Sequence, residues 1–165
     1  MSTQTIPNLA TPNTANNYLA SKAITSATAD TAGAFTTVLG RLLFSVIFFM
    51  AAPFHFTQTD INYAIAAGVP FAKFMVPASG ALALVGALSI LLGYRAKLGA
   101  WLLVLFLVPV TLMMHNFWAV KDAAAAQIQM VMFMKNVSIL GGALLISQFG
   151  AGRWSLDARR QSHSA

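Results

Sequence analysis

The chain has 165 residues, of which 58% are hydrophobic and 8% are charged, whereas soluble domains contain about 25% charged residues. A soluble fold is excluded, because 10 basic and 4 acidic side chains cannot cover its surface. The net charge of +6 does not indicate nucleic-acid binding, since the basic residues stand singly at the ends of apolar runs, as they do in proteins whose main partner is membrane lipid.

A polar N-terminal segment precedes four apolar runs. Residues 1–35 are rich in Thr, Asn, Ala and Ser, which predicts a disordered tail. Each later run is close to the ~20 residues that a helix needs to cross the hydrocarbon core. The sequence therefore predicts an all-α, antiparallel four-helix transmembrane bundle over residues 36–157, followed by a short basic C-terminal tail at 158–165. The predicted spans are residues 37–54, 74–93, 98–118 and 127–149.

The distribution of basic residues predicts the orientation of the spans. Most of them lie in the two tails or in the turn between the second and third spans, and cytoplasmic segments are enriched in Lys and Arg. We therefore expect a multi-pass protein of a bacterial inner membrane with both termini in the cytoplasm. Tyr94, Trp101 and Trp154 are expected to form an aromatic belt on that side. The basic residues concerned are Lys22, Arg41, Arg95, Lys97, Arg153, Arg159 and Arg160.

Small residues predict which faces of the spans pack together, because they allow two helix backbones to approach closely in a membrane. Ser79, Ala83 and Ala87 recur at helical spacing in the second span, and Ser138 and Gly142 do so in the fourth. Lys135 lies three residues before Ser138 and therefore shares its face. The sequence thus predicts that Lys135 points into the bundle.

Four polar residues in the outer half of the predicted bundle are candidates for binding a ligand: Lys135, His115, Asn136 and Gln129. An ammonium in the hydrocarbon core costs at least ~2.5–3.5 kcal/mol, so such a residue is usually paired or functional. The alternative is that Lys135 extends its stem toward the membrane surface. His115 could hydrogen-bond a carbonyl-bearing ligand, or it could be an interfacial histidine with no such role.

Arg41 and Asp157 are interpreted as structural or lipid-facing polar residues. Arg41 lies near the inner end of the first span, where it could bind an anionic head group or tie the span to the C-terminal tail. No catalytic residue is identified. No metal site is predicted, because the chain has no cysteine and its methionines lack the repeated spacing typical of Cu(I) sites.

Short motifs mark the first, third and fourth predicted spans and the segment that follows them. They are Gly40-Arg41-Leu42-Leu43, His115-Asn116-Phe117-Trp118, Gln129-x-x-x-Phe133-x-Lys135-Asn136, Gly141-Gly142 and Gly150-x-Gly152-x-x-Ser155-Leu156-Asp157. Their order, spacing and placement resemble the DoxX family of small bacterial membrane proteins with four spans. The resemblance covers residues 37–157. The chain departs from the family pattern at Pro77-Ala78-Ser79-Gly80, where typical members carry an acidic residue.

The resemblance implies membrane redox work, because relatives are linked to quinone-reducing thiosulfate oxidation and to a complex that deals with oxidative and thiol stress. The leading hypothesis is a membrane subunit of a quinone-linked redox system. Lys135, His115 and Asn136 would then contact the quinone oxygens, and a redox partner protein would supply electrons. The alternative is a non-catalytic scaffold that assembles other membrane proteins. A small-solute exporter is less favoured, since no inverted repeat is visible.

Overall fold

A computed structural model describes residues 12–162, and within that range the chain forms helices and turns without any β-strand. The prediction of an all-α fold is therefore confirmed for the described residues. Short 3-10 turns at Ala52–Phe56 and Phe117–Ala119 follow the first and fourth helices. The α-helices in this range are α1 (Pro12–Ala51), α2 (Gln58–Ala66), α3 (Ala72–Leu92), α4 (Ala96–Met114), α5 (Ala123–Phe149) and α6 (Leu156–Ser162).

Four helical segments are long and apolar enough to cross a membrane, and each overlaps one predicted span. The short helices α2 and α6, which lie outside these segments, were not predicted. The four segments are Asn16–Phe56, Ala72–Leu92, Ala96–Ala119 and Ala123–Phe149.

The predicted disordered tail differs from the structure over residues 12–35, which belong to α1. The segment is rich in alanine, which favours helix, and its hydroxyl groups bond within the helix. For example, Thr25 Oγ1 donates to the carbonyl of Ser21 at 2.9 Å. Residues 1–11 of the tail and residues 163–165 lie outside the described residues. The chain divides into two units after Thr36, and the description that follows concerns the second unit.

Helices α3 and α4 form a closely packed antiparallel hairpin. Glycines at the contact allow the two backbones to approach: a Cβ on Gly86 would lie 2.9 Å from the carbonyl oxygen of Gly99, and a Cβ on Gly99 would lie 2.9 Å from that of Gly86. Ala83 and Ala87 are fully buried, which confirms the packing face predicted for the second span. Gly93 ends α3 with φ +65°, a left-handed conformation that glycine adopts without strain.

Helices α1 and α5 complete the bundle around this hairpin. Ser45 Oγ in α1 donates to the carbonyl of Ala87 in α3 at 3.2 Å. Phe48 in α1 packs edge-on against Phe106 in α4, with ring centroids 6.2 Å apart. From α5, Ala143 contributes to the same buried core. The four helices therefore share one apolar core.

The two ends of this bundle carry different features. We call the end formed by the turn at Ala52–Phe56, helix α2 and the first residues of α5 the α2 end. The other end contains the turn between α3 and α4 and the C-terminal segment with α6, and we call it the α6 end. Each end holds one of the two polar sites described below.

Candidate functional site

Three polar side chains form a hydrogen-bonded chain at the α2 end. His115 Nδ1 lies 2.8 Å from Gln129 Oε1, and the contact is half-buried. Gln129 Nε2 donates to Tyr63 Oη at 3.2 Å. The chain links the end of α4, the beginning of α5 and helix α2, so it joins three separate elements. Two of the four predicted ligand-binding residues, His115 and Gln129, are therefore in direct contact.

Helix caps set the positions of these side chains. Asp122 begins α5 by accepting a hydrogen bond from the amide of Ala125 at 2.8 Å. Thr57 begins α2 in the same way, with its Oγ1 accepting from the amide of Asp60 at 3.3 Å. Such caps stabilise a helix by satisfying amides that have no partner in the first turn. His115 follows the last residue of α4 with φ −122° and ψ 37°, outside the helical region, so α4 ends at the residue before it.

The hydrogen bonds among His115, Gln129 and Tyr63 determine which of their donors and acceptors remain available to a ligand. Gln129 uses its Oε1 as the acceptor, so the hydrogen of a neutral His115 ring is on Nδ1. Nε2 of His115 is then an acceptor. Tyr63 Oη accepts from Gln129, and its own O–H remains a donor. The three side chains thus offer a ligand one donor, the Tyr63 hydroxyl, and one acceptor, His115 Nε2. This combination suits a compound that alternates between a carbonyl and a hydroxyl.

An aromatic cluster lies beside this polar chain. Phe117 and Trp118 follow α4, and Phe133 lies one turn after Gln129 on α5. The centroid distances are 5.2 Å between Phe117 and Trp118, 5.5 Å between Phe117 and Phe133, and 5.8 Å between Trp118 and Phe133. All three pairs pack edge to face, which is a favourable arrangement for aromatic rings. The cluster forms an apolar wall next to His115.

Two buried polar side chains lie deeper in the bundle. Asn136 on α5 is 8% exposed and Thr111 on α4 is 6% exposed. Within residues 12–162, neither side chain makes a hydrogen bond. Thr111 is one helical turn, about 6 Å, from His115 on the same face of α4. Buried polar groups normally have partners, so this pair provides unused hydrogen-bonding capacity.

Lys135 does not point into the bundle, and that prediction is wrong. Its side chain is exposed, as is that of Ser138, and Lys135 Nζ contacts Met132 Sδ at 3.2 Å. The inward face of α5 is the neighbouring one, which carries Asn136 and Ala143. Small residues could not distinguish the two faces, because lipid tails are as apolar as a protein core. The role of Lys135 in ligand binding stays a prediction.

Arg41 lies at the α6 end and is 5% exposed. Its Nη2 donates to the carbonyl oxygen of Trp154 at 2.6 Å. Its Nη1 faces Gly93, where a Cβ would collide with it. Asp157 provides an attractive charge nearby, whereas Arg41 Nε and Nη1 have no hydrogen-bond partner among residues 12–162. Arg41 thus ties α1 to the C-terminal segment through a backbone carbonyl.

Asp157 joins the same segment to the hairpin. Its Oδ1 accepts from the amide of Arg95 at 2.7 Å, and its Oδ2 accepts from the amide of Ala96 at 3.0 Å. Its own amide donates to the carbonyl of Gly93 at 2.8 Å. The carboxylate therefore caps the N-terminus of α4, where negative charge is favoured. We call the contacts of Arg41 and Asp157 with the hairpin and with Trp154 the C-terminal clasp.

Two participants were not identified from the sequence. Tyr63 lies on α2, a short helix in what was interpreted as a loop, so nothing marked it as part of a site. Trp154 takes part through its carbonyl, which every residue has. Among residues 12–162, His, Asp and Glu side chains form no group of three that could hold a metal ion.

Comparison with known proteins gives two family matches. The DoxX family model matches residues 36–116, and the SURF4 family model matches residues 80–163. Together they cover residues 36–163, which include the C-terminal part of α1 and all of α3, α4 and α5. No solved structure matches the chain significantly.

Three curated relatives are similar in sequence. Inner membrane protein YqjF of Escherichia coli (strain K12) is 30% identical over 122 residues, which cover 73% of this chain and 88% of the relative. Inner membrane protein YphA of the same organism is 28% identical over 99 residues, or 60% of this chain and 70% of the relative. The ER-derived vesicles protein ERV29 of Saccharomyces cerevisiae is 29% identical over 80 residues, which span 48% of this chain but only 26% of ERV29.

Proposed function

The chain belongs to the DoxX family of integral membrane proteins, and we propose that it is a membrane subunit of a redox system that binds a quinone or a similar apolar carbonyl compound. The observation that carries this proposal is the hydrogen-bonded chain of His115, Gln129 and Tyr63 at the α2 end. It lies at one end of the bundle and joins three separate elements.

The donor and acceptor of this chain match both forms of such a compound. The Tyr63 hydroxyl donates to a quinone carbonyl, and His115 Nε2 accepts from the hydroxyl of the reduced form. Gln129 holds both residues in position by bonding one with each end of its amide. Asn136 and Thr111, which make no side-chain hydrogen bond within residues 12–162, offer further polar contacts deeper in the bundle.

The surroundings favour an apolar ring as the ligand. Phe117, Trp118 and Phe133 present aromatic surface beside His115, and ligand pockets combine such surface with a few polar groups. A lipid-soluble compound reaches the site from the membrane. The chain has no cysteine, so it offers no thiol as an electron donor, and we propose that a partner protein supplies electrons.

Titration with a short-chain ubiquinone tests this proposal. The purified protein is titrated in detergent, and tryptophan fluorescence and the unfolding temperature are measured. Tyr63→Phe removes one hydroxyl, and Gln129→Leu removes the link, so each is expected to weaken binding about fivefold to tenfold. Gln58→Leu is the matched control, because the Gln58 amide bonds Asn62 and not His115, Gln129 or Tyr63. Equal affinity in all four proteins would exclude this site.

A second candidate function is supported by the exposed face of α5, and it is assembly with other membrane proteins. Lys135 and Ser138 are exposed there, and a Cβ on Gly141 would have nothing within 4 Å. A lysine that faces lipid is costly, whereas a partner helix with a carboxylate would stabilise it. On this alternative, the chain acts as a scaffold and Lys135 is its contact with the partner.

A further inference from the structure

The α6 end carries basic side chains that converge on one aromatic ring. The guanidinium carbons of Arg95 and Arg160 lie 5.9 Å and 5.3 Å from the centroid of the Tyr94 ring. Cations within about 6 Å of an aromatic ring are attracted to its face. The arrangement therefore concentrates two positive charges at one place on the surface, although like charges repel each other.

The C-terminal clasp builds this arrangement. Arg95 has φ +49°, a left-handed conformation that residues other than glycine rarely adopt. The bond from its amide to Asp157 holds that backbone in place. The same aspartate is the second residue of α6, which also carries Arg160, and the Arg160 guanidinium lies against Tyr94 of the hairpin. Asp157 thus positions Arg95 directly and lies on the same short helix as Arg160.

The charge balance of the two ends differs. At the α6 end, five exposed basic residues accompany a single acid, Asp157. At the α2 end, two lysines accompany two aspartates. The exposed basic residues of the α6 end are Arg95, Lys97, Arg153, Arg159 and Arg160, and the charged residues of the α2 end outside the spans are Lys73, Lys121, Asp60 and Asp122. Only the α6 end has a surplus of positive charge.

Apolar and aromatic side chains next to these charges indicate where the surface lies. Tyr94, Trp154 and Leu156 are all exposed at the α6 end. Tyr and Trp are enriched where a membrane meets water, because one end of each side chain is apolar and the other is polar. The basic group is therefore at the level of lipid headgroups when the four spans cross the bilayer.

We propose that Tyr94, Arg95 and Arg160 bind the phosphate headgroup of an anionic phospholipid. Arginine binds phosphate with two parallel hydrogen bonds. Both guanidinium groups lie against the Tyr94 ring, so both are placed to bind the same headgroup. The exposed Trp154 and Leu156 contact the acyl chains, which favours a lipid over free phosphate. This site is independent of the ligand site proposed at the α2 end.

Native mass spectrometry of the detergent-extracted protein tests this site. The protein is incubated with equal amounts of phosphatidylglycerol and phosphatidylcholine, and the retained lipids are counted. The wild type is expected to retain phosphatidylglycerol about tenfold more than phosphatidylcholine. The double variant Arg95→Gln/Arg160→Gln is expected to lose this preference. The matched control Lys73→Gln/Lys121→Gln removes the same charge at the α2 end and is expected to keep it.

Asp157→Asn separates a built site from general attraction. This substitution removes a negative charge, so a nonspecific attraction would strengthen, whereas a site built by the clasp would lose its preference for phosphatidylglycerol. Circular dichroism checks that each variant is folded. If Asp157→Asn is not folded, the comparison of the two double variants decides whether the site exists. The proposal is overturned if both double variants lose the preference equally, if folded Asp157→Asn gains preference, or if millimolar inorganic phosphate displaces the lipid.

Discussion

Arg41 and Trp154 lie 113 residues apart in sequence and are joined by a 2.6 Å hydrogen bond from Arg41 Nη2 to the carbonyl oxygen of Trp154. The bond connects the first span to the segment that follows the last one. Together with the bonds of Asp157 to the α3–α4 hairpin, it closes the bundle at one end. The ligand site proposed around His115 lies at the opposite end of the bundle.

Asp157→Asn should destabilise the protein. The carboxylate accepts hydrogen bonds from two amides, and bonds to a charged acceptor are worth about 1.5–3 kcal/mol each. Asparagine keeps one acceptor oxygen, so we expect a loss of about 1–2 kcal/mol. Equilibrium unfolding in mixed micelles measures the change. Asp60→Asn is the control, because Asp60 is bonded through its amide, and it should change stability by less than about 0.5 kcal/mol. Equal effects would argue against the clasp.

Gly86→Ala should also destabilise the protein, for a steric reason. The added Cβ would lie 2.8 Å from Leu103 Cδ2 and 2.9 Å from the backbone oxygen of Gly99, and the backbone cannot yield without separating α3 from α4. Overpacking of this kind costs about 1–3 kcal/mol. Gly40→Ala, where nothing lies within 4 Å, should be neutral or stabilising. Unfolding curves of both variants measure these changes. A Gly86→Ala protein as stable as the wild type would contradict the close packing of α3 against α4.

The orientation of the spans remains a prediction, and labelling of single cysteines tests it. Cysteines introduced at Asn62 and Ala124, which are exposed at the α2 end, should react with an impermeant thiol reagent added to intact cells. Cysteines at Lys97 and Ser162, exposed at the α6 end, should react only after the membrane is opened. The reverse pattern would invert the orientation, and reaction at all four positions from outside would contradict four crossings.

Lys135→Met tests the scaffold alternative. Lys135 is exposed and contacts only a thioether, so the substitution should leave the stability of the isolated protein unchanged or raise it. A synthetic transmembrane helix with one central Glu should associate with the wild type, measured by energy transfer in micelles, and should not associate with Lys135→Met. Lys73→Met, which removes an exposed lysine at the α2 end, should still bind. Equal binding of a helix with Gln in place of Glu would contradict charge pairing.

The four spans could be predicted from the sequence, because a long apolar run in a membrane can satisfy its backbone hydrogen bonds only as a helix. The sequence was also sufficient for the packing face of the second span, since Ala83 and Ala87 are buried in the shared core. The direction of the Lys135 side chain was predicted wrongly, because a face of small residues and a face toward lipid are both apolar. The helix over residues 12–35 was not predicted, because a polar composition is compatible with a helix as well as with disorder.

The candidate site was predictable only in part. His115 and Gln129 could be chosen as polar residues in apolar spans, but their contact depends on how α4 and α5 are rotated, which sequence spacing alone does not determine. Tyr63 required knowledge of α2, whose nine residues have too weak a pattern to stand out. The clasp was suggested by Arg41 and Asp157, yet its partners are backbone atoms, which leave no trace in a sequence.

The identity of any compound retained by the purified protein tests the proposed function most directly. Native mass spectrometry with an optical spectrum should detect a bound quinone in the wild type after mild detergent extraction. The quinone should be absent from His115→Leu, which lacks the acceptor nitrogen and the bond to Gln129, and present in the control Gln58→Leu. A wild-type protein that retains no quinone and binds none on addition, or a quinone that remains in His115→Leu, would contradict the proposal.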